Sequence, residues 1–141
     1  DGCHDDNRLK SAIGLATLRL DGFCSMRAGA DEGWLVSRRE PMREPAVTIN
    51  ARTSPQGVIT AEIRDRKDRV VPGFSRQDCL PFTGDSVRHE LAWRTSHFAA
   101  NASAEDWKIR FWLKDAEMYS YLPRALDPGE PDLARFPKTG P

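Results

Sequence analysis

The residues best suited to chemistry in this chain are aromatic. From Trp107 to Lys114 the sequence alternates, with Ile109, Phe111 and Leu113 on one side and Lys108, Arg110, Trp112 and Lys114 on the other. A period of two is the mark of a half-buried β-strand, and it turns the second set outward. A pyranose ring has an apolar C–H face that stacks on a flat indole, while its hydroxyls take hydrogen bonds from neighbouring donors. Trp112 between Arg110 and Lys114 has that form, and a large aromatic held at a surface points to an interaction site. Trp34, in a short apolar run, and Tyr119, on one face of the last strand with Tyr121, are further candidates for a carbohydrate-binding surface. Trp93 and Phe111 read as core. Trp107 and Trp34 are expected at an edge or under a loop. The alternative stays open that Trp112 is covered, by the C-terminal tail or by another domain of a longer chain.

Catalytic chemistry finds less support. Glycoside hydrolysis needs two carboxylates roughly 5–10 Å apart, and with 21 acidic residues some pair meets that distance by chance. None sits in a motif. His4, His89 and His97 are scattered, and His89, between Val87 and Leu91 on an inward face, reads as a half-buried, hydrogen-bonded histidine. There is no nucleophile elbow, phosphate loop or dinucleotide fingerprint. The chain is expected not to be an enzyme. No cofactor is expected; the one metal reading is a structural calcium ion held by loop oxygens around Asp65–Asp68 or Asp78–Asp85, the His4-Asp5-Asp6 cluster lying at a frayed end. Asn101-Ala102-Ser103 fits the N-glycosylation pattern, common by chance.

Short strands separated by turn residues predict an all-β fold, an antiparallel β-sandwich of jelly-roll type with eight to nine strands. Val47, Ile49 and Ala51 alternate with polar residues, as do Ile59, Ala61 and Ile63, and Pro55-Gln56-Gly57 between them predicts a hairpin. Ser86–Arg94 is a further strand, with Val87, His89, Leu91 and Trp93 on one face. Asp115-Ala116-Glu117 predicts a turn before a last strand, Met118–Leu122. Earlier, Leu15–Leu20 and Phe23–Ala28 flank Asp21-Gly22, a hairpin signal, and Gly33–Val36 is short. Arg69–Val71 is a brief return. Ile49, Ile63, Leu91, Phe111 and Leu113 are the expected core. No helix longer than a turn is expected.

The 141 residues suit one domain, divided as a polar lead-in over 1–11, the β-sandwich over 12–122 and a proline-rich tail over 123–141. Twenty-one basic and 21 acidic residues cancel, so no bulk attraction to nucleic acid or to a membrane surface is expected. Asp1-Gly2-Cys3 reads as the start of a piece of a longer chain, so the lack of a leader peptide leaves the compartment open. Cys3, Cys24 and Cys79 match no zinc spacing, and Cys24 and Cys79 read as buried free thiols rather than a disulfide.

Five blocks taken in order carry a resemblance: Ile13–Phe23, Pro72-Gly73-Phe74-Ser75, Asp78-Cys79, Gly84-Asp85-Ser86-Val87, and Ile109–Tyr121. Together they resemble the C-terminal β-sandwich of large bacterial proteins related to glycoside hydrolase family 32, over about Ala12–Leu122. Cys24, Trp112 and the tail depart from that pattern. The resemblance implies a secreted, carbohydrate-processing setting and a catalytic glycoside hydrolase domain, a five-bladed propeller, in the parent chain. It brings no catalytic residue, since those lie on the propeller. The expected function is a non-catalytic accessory module that binds a polysaccharide or oligosaccharide through exposed aromatics. The alternative is a sandwich that buttresses a catalytic partner without binding sugar.

Overall fold

Irregularity in two long strands shapes this protein. A computed structural model describes residues 13–42, 46–94 and 105–123. Its strands are β1 (Met26–Ala28), β2 (Gly33–Val36), β3 (Glu40–Met42), β4 (Val47–Arg64), β5 (Asp85–Glu90) and β6 (Glu105–Pro123). All pairings are antiparallel and there is no helix among the described residues. The all-β class therefore stands, with six strands in the described sheet.

β6 is the spine. Along one side it pairs with β4 from Arg64↔Lys108 to Val47↔Pro123. Along the other, β3, β2 and β1 follow one another opposite Glu105–Trp107, Arg110–Leu113 and Ala116–Met118. β5 forms the far edge, on β4. β3 was not foreseen because it contains Pro41, which removes a ladder donor; at a sheet edge that loss is tolerated.

The predicted hairpin between Pro45–Arg52 and Val58–Asp65 is absent. From Val47 to Arg64 both halves belong to β4 and both pair with β6, whose own predicted turn at Asp115-Ala116-Glu117 is also absent. The breaker residues instead make a pair of facing irregularities. The β4–β6 register shifts between Thr53 and Val58, and Asp115 opposite takes the left-handed conformation, φ 43°. Such bulges bend a strand. They also move the inward face of β6 from Leu113 to Ala116 and Met118, all three buried.

A second shift follows between Asn50 and Ala51, where Ser120 and Met118 are the successive partners and Tyr119 is left over. Tyr119 and Tyr121 therefore do not share a face. Tyr121 packs on the core, its ring 5.4 Å from that of Phe111. Those residues lie ten apart on one strand, a span of roughly 33 Å if extended, so β6 bends between them.

The fold so made encloses Val47, Ile49, Ala51, Ile59, Ala61, Ile63, Leu91, Trp93, Ile109, Phe111 and Leu113, including all five expected core residues. Trp107 is buried rather than at an open edge. Trp93 packs edge-on against Phe74, 5.3 Å between centroids, and its Nε1 donates to the Ala61 carbonyl at 3.3 Å. β5 stops at Glu90, short of the expected Arg94, because Leu80 N–H bonds the Ala92 carbonyl and Arg94 N–H that of Asp78. Val87, expected inward, is exposed on this edge strand.

The Asp21-Gly22 turn exists, but Leu15–Leu20 forms no strand. Segment 13–25 lies along the surface with Ile13, Leu15, Leu18, Leu20 and Phe23 exposed. Arg19 pins it: Nε donates to Asn50 Oδ1 at 2.5 Å, Nη1 to Asp85 Oδ1 at 2.5 Å and Nη2 to the Ala51 carbonyl at 3.2 Å. Cys24, expected buried, is an exposed free thiol on this segment, while Cys79 is free and buried. The proposed lead-in 1–11 and all of the tail after Pro123 lie outside the described residues, as do His97, Asn101 and the His4-Asp5-Asp6 cluster.

Candidate ligand-binding face

Pairing brings two of the five candidate residues into direct register. Trp34 on β2 stands opposite Trp112 on β6, which in turn stands opposite Thr60 on β4. Residues in register across strands lie side by side on one face. Alternation puts Arg110 and Lys114 on the same outer face as Trp112, two residues away on either side.

The guanidinium of Arg110 stacks towards both rings, 5.2 Å from the Trp34 centroid and 5.9 Å from that of Trp112. Its Nε is buried against them with no hydrogen-bond partner among the described residues. Each such contact contributes about 0.5–1 kcal/mol at an exposed site. On Trp112 lies a second guanidinium, that of Arg76, at 4.6 Å. Arg76 is held by Glu32, just before β2, at 2.5 Å. The order is thus Arg76, Trp112, Arg110, Trp34, alternating cation and ring. Trp112 is half-buried beneath this cover, whereas Trp34 is 66% exposed. Lys114 extends the row and is exposed.

Tyr119 belongs elsewhere. Its ring is 4.9 Å from the Arg19 guanidinium and 5.9 Å from that of Arg52. Arg52 and Ser25 both hold Glu117, at 2.8 Å and 2.6 Å, and these bonds, Ser25 first, keep its carboxyl below the usual range. A cavity of about 290 Å³ opens beside them at the facing bulges, lined by Arg27, Arg52, Thr53, Ser54, Asp115 and Glu117 among others.

The charged groups behind the aromatic row are largely matched. Glu62 receives Arg64 Nε at 2.6 Å. Asp68 takes Lys108 Nζ at 2.5 Å and Arg64 at 3.4 Å. The Lys108 hydrogen bond, with Arg64 and Arg110 adding to it, holds the Asp68 carboxyl low despite the opposing effect of desolvation.

The carboxylates proposed for calcium are engaged by protein donors. Asp65 Oδ1 accepts the backbone N–H groups of Lys67 and Arg69, and Oδ2 the Arg69 guanidinium at 2.9 Å. Asp78 accepts Ser75 Oγ at 2.7 Å and Asp85 is paired to Arg19. No three His, Cys, Asp or Glu side chains cluster for a metal among the described residues. His89 is half-buried, 4.5 Å from the Phe82 ring, and burial pulls its pKa down.

Sequence reasoning missed Arg76 and Glu32. Both lie in connections without periodicity, and the pairing that joins them spans 44 positions. No family model, no curated protein and no solved structure matches the chain.

Proposed function

We propose that this chain is a non-catalytic carbohydrate-binding module, an accessory to a secreted glycoside hydrolase, with its sugar surface on the outer face of β2 and β6. One observation carries the reading: Trp34 is 66% exposed on the sheet, in register with Trp112 and with the Arg110 guanidinium 5.2 Å from its ring. A ring already held by a neighbouring strand residue and a cation loses little freedom when a ligand stacks on it, and that preorganisation favours binding. Trp34 takes the stacking role first assigned to Trp112, because Arg76 already covers part of the Trp112 ring. Arg110 and Lys114 are the donors at its side. Tyr119 supports a different region and is not part of this surface.

The same proposal includes a two-layer arrangement of jelly-roll type, supported by the Phe111–Tyr121 contact across the bend of β6. The expected affinity is modest, micromolar to millimolar, about 4–8 kcal/mol. Electrophoresis in gels containing different polysaccharides tests it: retardation by at least one polymer is expected, and migration unchanged by every polymer contradicts it.

A second reading has its own observation. Ile13, Leu15 and Phe23 are almost fully exposed on the pinned surface segment, and clustered exposed apolar residues mark interaction surfaces. They support a buttress that docks on a catalytic domain of a longer chain. Failure of the intact chain to bind any glycan, together with saturable association with such a domain, would favour it.

A further inference from the structure

We infer that the Trp34–Trp112 face takes an anionic glycan, one bearing carboxylate or sulfate groups, in preference to a neutral polymer of the same backbone. The inference rests on the carbohydrate-binding reading and adds the ligand's charge.

Around the aromatic row, Glu62, Asp68 and Glu32 are taken by Arg64, Lys108 and Arg76. Arg110 stands in register with Glu62 and adds to the field that holds Asp68 low, but both carboxylates are bonded to other cations, and neither Arg110 nor Lys114 makes an ion pair or hydrogen bond with a carboxylate among the described residues. They are the two cations that flank Trp112. Side chains on one strand face repeat at roughly 6.7 Å, so ring and charge alternate along β6 at a spacing a sugar chain can follow.

Arg110 lies 5.2 Å and 5.9 Å from the two indole centroids and its Nε is buried, so it has lost part of its hydration, which strengthens its attraction to an arriving anion. A neutral glycan would use the rings and leave both cations without a bonded anion. An acidic one pairs them, and bidentate capture of a carboxylate or sulfate is what a guanidinium does best.

Single-stranded nucleic acid also combines rings with negative charge. Two unmatched cations are few for a phosphate backbone, whose proteins neutralise roughly 6–10 phosphates. The formal net charge of zero gives no wider field to help. The glycan is therefore the favoured ligand.

The test uses the intact chain and two matched polymer pairs: polygalacturonate with its methyl ester, and dextran sulfate with dextran. Binding is followed by affinity electrophoresis at low salt and at about 0.5 M salt, where charges are screened within a few ångströms. In at least one pair the acidic member is expected to bind about tenfold more tightly, with the difference shrinking at high salt. Lys114→Gln should weaken acidic binding by about fivefold at low salt, and that loss should shrink at high salt. Equal binding within both pairs overturns the charge inference while leaving the carbohydrate reading intact. Retention of no polymer overturns both. Oligo-deoxythymidine bound more tightly than either acidic glycan overturns the inference in favour of nucleic acid.

Discussion

Gly57 lies directly against the backbone carbonyl of Asp115, so close that a methyl group built on it would overlap that carbonyl and would reach the Thr53 side chain at 2.9 Å. The contact joins the two facing irregularities of β4 and β6. Gly57→Ala should therefore cost about 1–3 kcal/mol as strands are forced apart. Gly29→Ala, where a methyl group meets nothing within 4 Å, should stay within about 0.5 kcal/mol. Urea denaturation of both variants checks this; equal midpoints would contradict the close approach.

Arg19 holds segment 13–25 through Asn50, a residue only 3% exposed. Removing the guanidinium in Arg19→Ala leaves the Asn50 oxygen without that donor, at a cost of about 1–3 kcal/mol. Amide exchange across 13–25 should accelerate while exchange at the buried Ile59, Ala61 and Ile63 stays slow. Unchanged exchange in 13–25 would mean that the pin is not what orders it.

The two described thiols should behave oppositely. Cys24 is exposed; Cys79 is buried, accepts the Ala61 N–H at 3.3 Å, and desolvation pushes its pKa above 9.0. The thiolate is the reactive form. Brief alkylation of the native protein followed by peptide mapping should mark Cys24 and spare Cys79 until denaturant is added. Native labelling of Cys79 at the rate of Cys24 would contradict its burial.

Stability should fall with acid in two steps. Burial draws His89 below its ordinary 6.5, so between that value and its folded pKa the unfolded chain binds a proton that the folded chain does not. Stability contributed by neutral His89 is complete above pH 6.5 and is lost as pH falls through the folded pKa. Asp65, Asp68 and Glu117 are likewise held below 3.8, 3.8 and 4.5, Asp65 chiefly by the Arg69 backbone N–H, Asp68 by Lys108 and Glu117 by Ser25. Their contribution is present above those values and lost below them. Melting temperature measured against pH should show both steps, and His89→Gln should remove only the upper one. An unaltered upper step in that variant would assign it to another group.

Much of the core was legible because period-two alternation is local. Ile49, Ile63, Phe111 and Leu113 fall on their inward faces whatever the strands pair with. Connectivity was not legible. Pro55-Gln56-Gly57 and Asp115 are chain breakers, and a breaker marks a hairpin turn or a bulge equally well. What decides is the partner strand, here β6 for both halves of β4, more than 40 residues away for every pair. The same limit explains Tyr119 and Tyr121, separated by a register shift that pairing alone creates. For the ligand face, alternation put Arg110, Trp112 and Lys114 together, but only the β2–β6 register brings Trp34 beside Trp112. Arg76 reaches Trp112 from an aperiodic loop and left no local signal.

Trp34 is the proposed stacking platform for a glycan. Affinity electrophoresis of Trp34→Ala beside the unaltered protein, in whichever polysaccharide gel retards the latter, is the decisive experiment. Trp34 is exposed and packs little of the core, so its loss should leave the melting temperature nearly unchanged. Retardation is expected to disappear in the folded variant. Retardation equal to that of the unaltered protein would contradict it.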